Sequence, residues 1–268
     1  MKIIDCFMFY NEISLLKYHL EVLYDHVDYF VFTEARQTHM GRPKLLNFEK
    51  NKELFTKYLD KIIYIPIDLP FLEPCNVENR EQWKNEKFQR DCIIKGLNYL
   101  KLEPNDIFIL GDLDEITNPN VLDSIRKIDT SRIAFNLECD MYFHNLNTKC
   151  TDRWFFPKFI NWSLFNELQI SLDDFRWAYY IMPYMNDGGW HLSNFGDAEL
   201  IRNKLENYSH QEHNYEECKN LSTIQAKIDA GISVFLKEGE KQNTIQLSIK
   251  DNTRLPPRID LLQEFIKF

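Results

Sequence analysis

The chain has 268 residues, 44% of them hydrophobic, with 20 Phe and 13 Tyr, enough apolar material for a large core. Its formal net charge is -9 and no basic stripe stands out, which argues against a nucleic-acid partner and against a polybasic membrane anchor. No run reaches the roughly 18 apolar residues of a transmembrane segment, and no signal peptide precedes the first strand, so a soluble, cytoplasmic chain is expected.

Lys2–Phe9 reads as the first strand and Glu12–Tyr24 as a helix, with Ile13, Leu16, Leu20 and Leu23 at helical spacing. Tyr29–Thr33 is a second strand, followed by a polar turn at Gly41-Arg42-Pro43. Asn47–Tyr58 reads as a helix, Lys61–Pro66 as the third strand, and Asp68–Asn79, with two prolines, as a loop. Glu81–Lys101 gives the clearest helix, with Phe88, Cys92, Leu97 and Leu100 turned inward. Asp106–Leu110 is the fourth strand. Beyond it, Arg132–His144 reads as a long strand, Trp154–Phe165 as strand-like, and Asp197–Asn207 and Tyr215–Ala230 as helices. Strands alternating with helices imply an α/β fold with a mainly parallel, Rossmann-like sheet. With no repeat or linker, a single domain over 1–268 is expected, with a regular half, 1–130, and an irregular half, 131–268, that completes the sheet. The six cysteines form no Cys-x-x-Cys pair, and several lie in apolar segments, so free buried thiols are expected.

The fourth strand runs into Gly111-Asp112-Leu113-Asp114-Glu115, and Asn118-Pro119 then signals a helix start. In open α/β sheets ligands bind beyond the carboxyl ends of the strands, where Asp112, Asp114 and Glu34 all fall. If the backbone stays extended, Asp112 and Asp114 point to the same side and both reach one Mn2+ or Mg2+, hard cations that take oxygen ligands and neutralise phosphate. Spacing alone leaves two other readings. One is a polar strand end before a helix N-terminus. The other is the nucleophile strand of a haloacid-dehalogenase-type phosphatase, although Ile116 stands where those enzymes carry Thr or Val, and no apolar strand leads into Asp173-Asp174.

Other constellations are open in the same way. In Gly188-Gly189-Trp190-His191, paired glycines allow close backbone approach, and His191 either serves a metal or phosphate or is a satisfied core histidine. Arg90 either holds a pyrophosphate as a cationic fork or sits on a solvated helix face, and Lys44 has the same two readings. His210 and His213 lack a His-Glu-x-x-His signature, so no separate zinc site is expected there.

The chain resembles glycosyltransferase family 17. The blocks that carry the likeness are Asp5-Cys6-Phe7-Met8-Phe9-Tyr10-Asn11-Glu12 with Leu15-Leu16, Val27-Asp28-Tyr29-Phe30-Val31 with Glu34, and Thr38, Gly41, Pro43 and Lys44 with Leu46-Asn47-Phe48. Further along come Trp83, Gln89-Arg90-Asp91, Asp112-Leu113-Asp114-Glu115-Ile116, Gly189-Trp190-His191 with Ser193, Lys204-Leu205 and Ser209-His210-Gln211-Glu212. The resemblance implies a GT-A-like fold, a UDP-sugar donor (UDP-GlcNAc in the type member), a glycan or glycoconjugate acceptor and an inverting, metal-dependent transfer. It makes Asp112 and Asp114 the metal and diphosphate residues, Glu34 a uridine-side or ribose contact, Arg90 a phosphate contact, and His191 a third metal ligand. Against the animal Golgi enzymes of the family, a chain without their amino-terminal anchor and stem is expected, and Thr117 stands where Pro is frequent. The stretches Asp68–Asn79 and Leu146–Asp174 also match poorly, and are expected to shape the acceptor site.

The expected reaction is attack of an acceptor hydroxyl on the anomeric carbon, with a carboxylate as base. Asp187, Asp140, Glu138 and Glu115 are the candidates, and Asp187 is preferred because it precedes Gly188-Gly189 close to His191. Trp154, Trp162 and Trp190 either stack on sugar rings or pack the core. The phosphatase and a catalytically silent sugar-binding homologue are the rival functions.

Overall fold

A computed structural model describes residues 1–128, 132–178, 182–236, 241 and 243–266. The division expected at 130/131 falls outside them.

The first half alternates as expected. β1 (Ile3–Phe9), β2 (Tyr29–Ala35), β3 (Ile62–Ile67) and β4 (Ile107–Leu110) lie in the order β3-β2-β1-β4, all parallel. β1 and β4 are near-continuous apolar runs because both their faces are covered. Ile3, Phe7 and Phe9 face α1 (Ile13–Leu23) in one core, and Ile4 and Cys6 join Val31, Phe108 and Leu110 in a second. The period-2 alternation of a strand assigns these two cores. Asn47–Tyr58 is α2 (Asn47–Lys50) followed by a 3-10 turn, Lys52–Tyr58, rather than one helix.

The helix expected over Glu81–Lys101 is two, α3 (Glu81–Asp91) and α4 (Ile94–Tyr99). Cys92 and Leu97 are buried, but Phe88 is 38% exposed, a correction to the expected inward face. The buried residues of α3 are Gln82, Asn85, Gln89 and Arg90, so this helix turns a polar face inward. Apolar periodicity misleads here because Gln89 and Arg90 line a cavity and Asn85 bonds the backbone of His39 and Phe71.

After β4 come β5 (Glu115–Thr117) and α5 (Pro119–Ile125), the latter capped by Asn118, which accepts from Asn120 N at 3.0 Å. The second half adds β6 (Ala134–Phe143), β7 (Thr148–Trp154) and β8 (Lys158–Asn161), followed by α6 (Trp162–Leu168) and α7 (Leu172–Trp177). The strand-like reading of Trp154–Phe165 therefore holds only for its first part, since a helix begins at Trp162. Next are β9 (Tyr184–Ser193) and α8 (Ala198–Asn207), the latter capped by Asp197. α9 (Glu216–Lys219) and α10 (Leu221–Ala230) divide the expected Tyr215–Ala230 helix at Asn220, whose carboxamide caps α10. β10 (Thr244–Gln246) closes the list of strands.

β8 inserts antiparallel between β4 and β6, so the sheet continues from the parallel half into the second half as β4-β8-β6-β7-β10. β9 lies parallel to β6 and antiparallel to β5. That last pairing sets Glu115 opposite His191 and Thr117 opposite Gly189. The glycine pair permits it. A Cβ on Gly189 would lie 2.1 Å from the Ile116 carbonyl oxygen, and one on Gly188 would lie 2.7 Å from Leu137 Cβ. The six cysteines are free thiols, five of them buried. No helix among the described residues is long and apolar enough to cross a membrane.

Candidate active site

β4 ends at Leu110, and the carboxylate motif follows as a turn rather than as extended chain. The turn is fastened at several points. Asp112 N donates to Glu115 Oε2 at 2.8 Å, and Glu115 N to the Asp112 carbonyl at 3.0 Å. His19 Nδ1 donates to the Leu113 carbonyl at 2.8 Å, while its Nε2 stands 2.5 Å from Asp5 Oδ2. Leu192 N donates to the Asp114 carbonyl at 2.7 Å. The backbone between the two aspartates is thus held from β1, α1 and β9 at once.

Both carboxylates line a cavity of about 490 Å3, within the range of small-molecule sites. Asp112 Oδ2 accepts from Arg176 Nη2 at 2.9 Å. Its Oδ1 is buried without a hydrogen-bond partner among the described residues, and Arg90 Nη2 stands 3.5 Å away. Asp114 has His191 Nε2 at 3.5 Å on one oxygen and Lys204 Nζ at 3.5 Å on the other. Burial pushes the Asp114 carboxyl up, but Lys204 and His191 outweigh it and hold the group well below the usual carboxylate range.

Of the residues expected at the site, the structure brings Asp112, Asp114, His191, Arg90 and Lys44 to one cavity. His191 stands on β9, which pairs with β5 through Glu115 opposite His191. Arg90 is 3% exposed and faces Glu86 at 2.8 Å, Asp112 and Asp173, so three carboxylates already counter its charge. Lys44 Nζ donates to Glu34 Oε1 at 2.7 Å.

Glu34 does not reach the cavity, a correction to its expected role at the donor. Its side chain is wholly buried and accepts from Lys44, from Asn47 N at 2.5 Å, from Phe48 N at 3.1 Å and from Tyr64 OH at 3.0 Å. Two of those donors are first-turn N–H groups of α2, which a helix cannot satisfy itself. Asp187 is also placed elsewhere. It is 65% exposed, pairs with Arg254 and does not line the cavity. The other base candidates fare no better. Glu115 is sealed beneath Arg176, which donates to it twice at 2.7 Å, and beneath the Trp154 indole. Asp140 is 2% exposed among Lys149, Arg153 and Arg254, and Glu138 faces Arg153 at 3.4 Å.

Among the described residues, the carboxylates that line the cavity are Glu12, Glu86, Asp112 and Asp114. Glu86 accepts from Arg90 and Ser209, and although burial opposes it, Arg90 and His39 help hold its pKa down to about 2. Glu12 is held least. Its Oε2 accepts from Asn11 N at 3.1 Å and its Oε1 stands 4.0 Å from Lys204.

The donor set fits a hard divalent cation. Among the described residues, Asp112 Oδ1 is buried without a hydrogen bond, with Arg90 3.5 Å away, and no cation comes closer than 3.5 Å to either oxygen of Asp114. Asp112, Asp114 and His191 do not themselves converge within 4.8 Å among the described residues, so an ion there needs further ligands from substrate or water.

Sequence reasoning missed Arg176 and Lys204. Lys204 projects from α8 and stood in a family block with no role given to it. Arg176 sits in the last turn of α7, and a signal for it existed. Ser171-x-x-Asp174 is a capping pattern, and Ser171 Oγ does accept from Asp174 N at 3.1 Å. Asp173 and Asp174, the acidic pair that a phosphatase would need, are thus used up: Asp174 binds the Ser171 cap and Asp173 pairs with Arg90.

The sequence model of glycosyltransferase family 17 matches residues 1–249. The Beta-1,4-mannosyl-glycoprotein 4-beta-N-acetylglucosaminyltransferase of Rattus norvegicus is 27% identical over 148 residues, 53% of this chain. The match spans about a quarter, 27%, of that enzyme's length. Among solved structures, S. aureus TarS 1–349 overlays with a TM-score of 0.39 at 13% identity, covering 88% of this chain and 70% of that one. 4-Diphosphocytidyl-2C-methyl-D-erythritol synthase overlays at 0.36 with 12% identity, covering 75% and 91%. The family match takes in β1, the carboxylate turn and the β9 glycines together, and by it the chain belongs to glycosyltransferase family 17.

Proposed function

We propose that the protein is a metal-dependent, inverting glycosyltransferase that moves a sugar from a UDP-sugar to a hydroxyl of a glycan or glycoconjugate. GlcNAc is the proposed sugar, by likeness to the rat enzyme. The observation that carries the reading is the pair Asp112 and Asp114 at the carboxyl end of β4, lining a cavity that also holds Lys44 and Lys204, with one Asp112 oxygen buried and not hydrogen-bonded among the described residues. Asp112 and Asp114 would hold Mn2+ or Mg2+, which supplies charge neutralisation for the departing diphosphate. Lys204 adds a second positive charge beside them, and Trp154 and Tyr10 offer aromatic faces in the cavity wall.

For the base, the described residues favour Glu12, the cavity carboxylate with the weakest hold from neighbouring cations. Glu12→Gln is expected to lower kcat on the order of 100-fold while leaving UDP affinity within about threefold. An unchanged kcat would remove Glu12 from this role.

The reaction itself is tested by a screen of UDP-sugars with candidate glycan acceptors, scored by UDP release with Mn2+, with Mg2+ and after chelation. Metal-dependent release with UDP-GlcNAc supports the proposal. Release unchanged by chelation overturns the metal assignment. Binding of UDP-sugar without release under any condition marks a silent homologue, and turnover of an aryl phosphate instead marks a phosphatase.

A further inference from the structure

A second cluster of ligand-type side chains lies on the cavity wall, apart from the aspartate pair. Tyr208–Asn214 carries a single 3-10 turn, Gln211–His213, with His210 at its N-cap and His213 N donating to the His210 carbonyl at 3.1 Å. A 3-10 turn has three residues per turn, so side chains at i and i+3 eclipse one another. The rings of His210 and His213 accordingly lie face to face, with centroids 6.2 Å apart and planes at 28°. Glu212, between them, reaches back so that its Oε1 stands 2.6 Å from His210 Nδ1. Ligand atoms of all three residues fall within 4.8 Å of one another.

The cluster is also held in place. The Trp83 indole packs on His210 at 4.4 Å and Phe235 on His213 at 4.6 Å. Gln211 ties the turn together, donating to the Tyr208 carbonyl at 2.7 Å and accepting from Asn214 at 2.7 Å. Such fixing is what a preformed metal site requires.

From this geometry we propose that His210, Glu212 and His213 bind a borderline transition-metal ion of the zinc type at the cavity wall. Two imidazoles and one carboxylate suit Zn2+ rather than Mg2+ or Mn2+, which prefer all-oxygen sets such as the aspartate pair. Three protein ligands leave a fourth position open. His210 and His213 both line the cavity, so that position is available to water or to an oxygen of a bound substrate. The sequence expectation looked for His-Glu-x-x-His, whereas a 3-10 turn sets His-x-x-His on one side with Glu212 beside it. The proposal does not depend on the donor sugar or on the transfer reaction.

The test is Zn2+ titration of the chelator-stripped protein, by calorimetry and by competition with a chromophoric chelator. One equivalent is expected to bind with a dissociation constant on the order of 10 µM or tighter. His210→Ala and His213→Ala should each weaken binding roughly tenfold or more, with melting temperatures of the metal-free variants confirming the fold. Asp114→Asn should leave zinc binding unchanged. The proposal is overturned if the wild type binds no equivalent, if the His210/His213 double variant binds as the wild type does, or if Asp114→Asn removes the binding.

Discussion

Asp114→Asn is expected to lower metal-dependent UDP release on the order of 100-fold or more, and Asp112→Asn by a comparable factor. Both substitutions keep the side chain's size and remove its charge. Asp114 is ionised throughout the working pH range, because Lys204 and His191 outweigh the burial that opposes ionisation. Its charge is therefore present in every turnover. Asparagine there leaves Lys204, among the described residues, with Glu12 4.0 Å away as its ion-pair partner, so a stability cost of about 1–3 kcal/mol accompanies the loss of activity. Asp112 is half-buried and shares Arg176 with Glu115, so Asp112→Asn should cost less stability than Asp114→Asn. The control is Asp187→Asn. That carboxylate is exposed, paired with Arg254 and outside the cavity, and its loss should leave turnover within about threefold. Measured UDP release with thermal melts of the same preparations decides the matter. Retained turnover in both Asp112→Asn and Asp114→Asn would sink the diphosphate role, and a collapse in Asp187→Asn would return the base to β9.

The elements that were legible in the sequence share one property: their side chains answer to the backbone next to them. β1 and β4 showed as apolar runs because they are buried on both faces, and Asp112-Leu113-Asp114 showed because a carboxylate cluster interrupts such a run. Asn118-Pro119 did start a helix. What stayed hidden was set by partners far along the chain. Glu34 does lie at the correct edge of β2, but edge position says nothing about where a side chain turns, and the first turn of α2 claims it. The Asp5–His19 pair that fixes the Leu113 carbonyl joins β1 to α1, and no local pattern announces it. Phe88 was assigned inward by periodicity, but α3 reserves its inner face for Gln89 and Arg90 at the cavity.

The second large effect expected is on folding, from a residue outside the cavity. Arg176→Met should destabilise the protein by about 3–5 kcal/mol, roughly ten degrees or more in melting temperature for a chain of this size. Glu115 has a wholly buried side chain, and Arg176 donates to both of its oxygens at 2.7 Å while also holding Asp112 at 2.9 Å. Methionine fills the volume but leaves the Glu115 charge buried with the Trp154 indole and the Asp112 N–H as its hydrogen-bond donors among the described residues. The cost comes from that uncompensated charge rather than from any net worth of the pair. Glu115→Gln in the Arg176→Met background should therefore recover part of the loss, with a coupling of about 1–3 kcal/mol in a double-mutant cycle. Arg176→Lys keeps the charge but loses the planar fork that spans Glu115 and Asp112 together, and should fall between wild type and Arg176→Met. Denaturant melts of the four proteins in the cycle measure it. A loss below about 1 kcal/mol in Arg176→Met, or strict additivity, would show that Glu115 does not depend on this arginine. The same cycle bears on catalysis. Arg176 is the bolt between the folded core and Asp112, so a variant that melts normally yet needs more metal for half-maximal UDP release would place this arginine in the positioning of the donor site and not merely in its support.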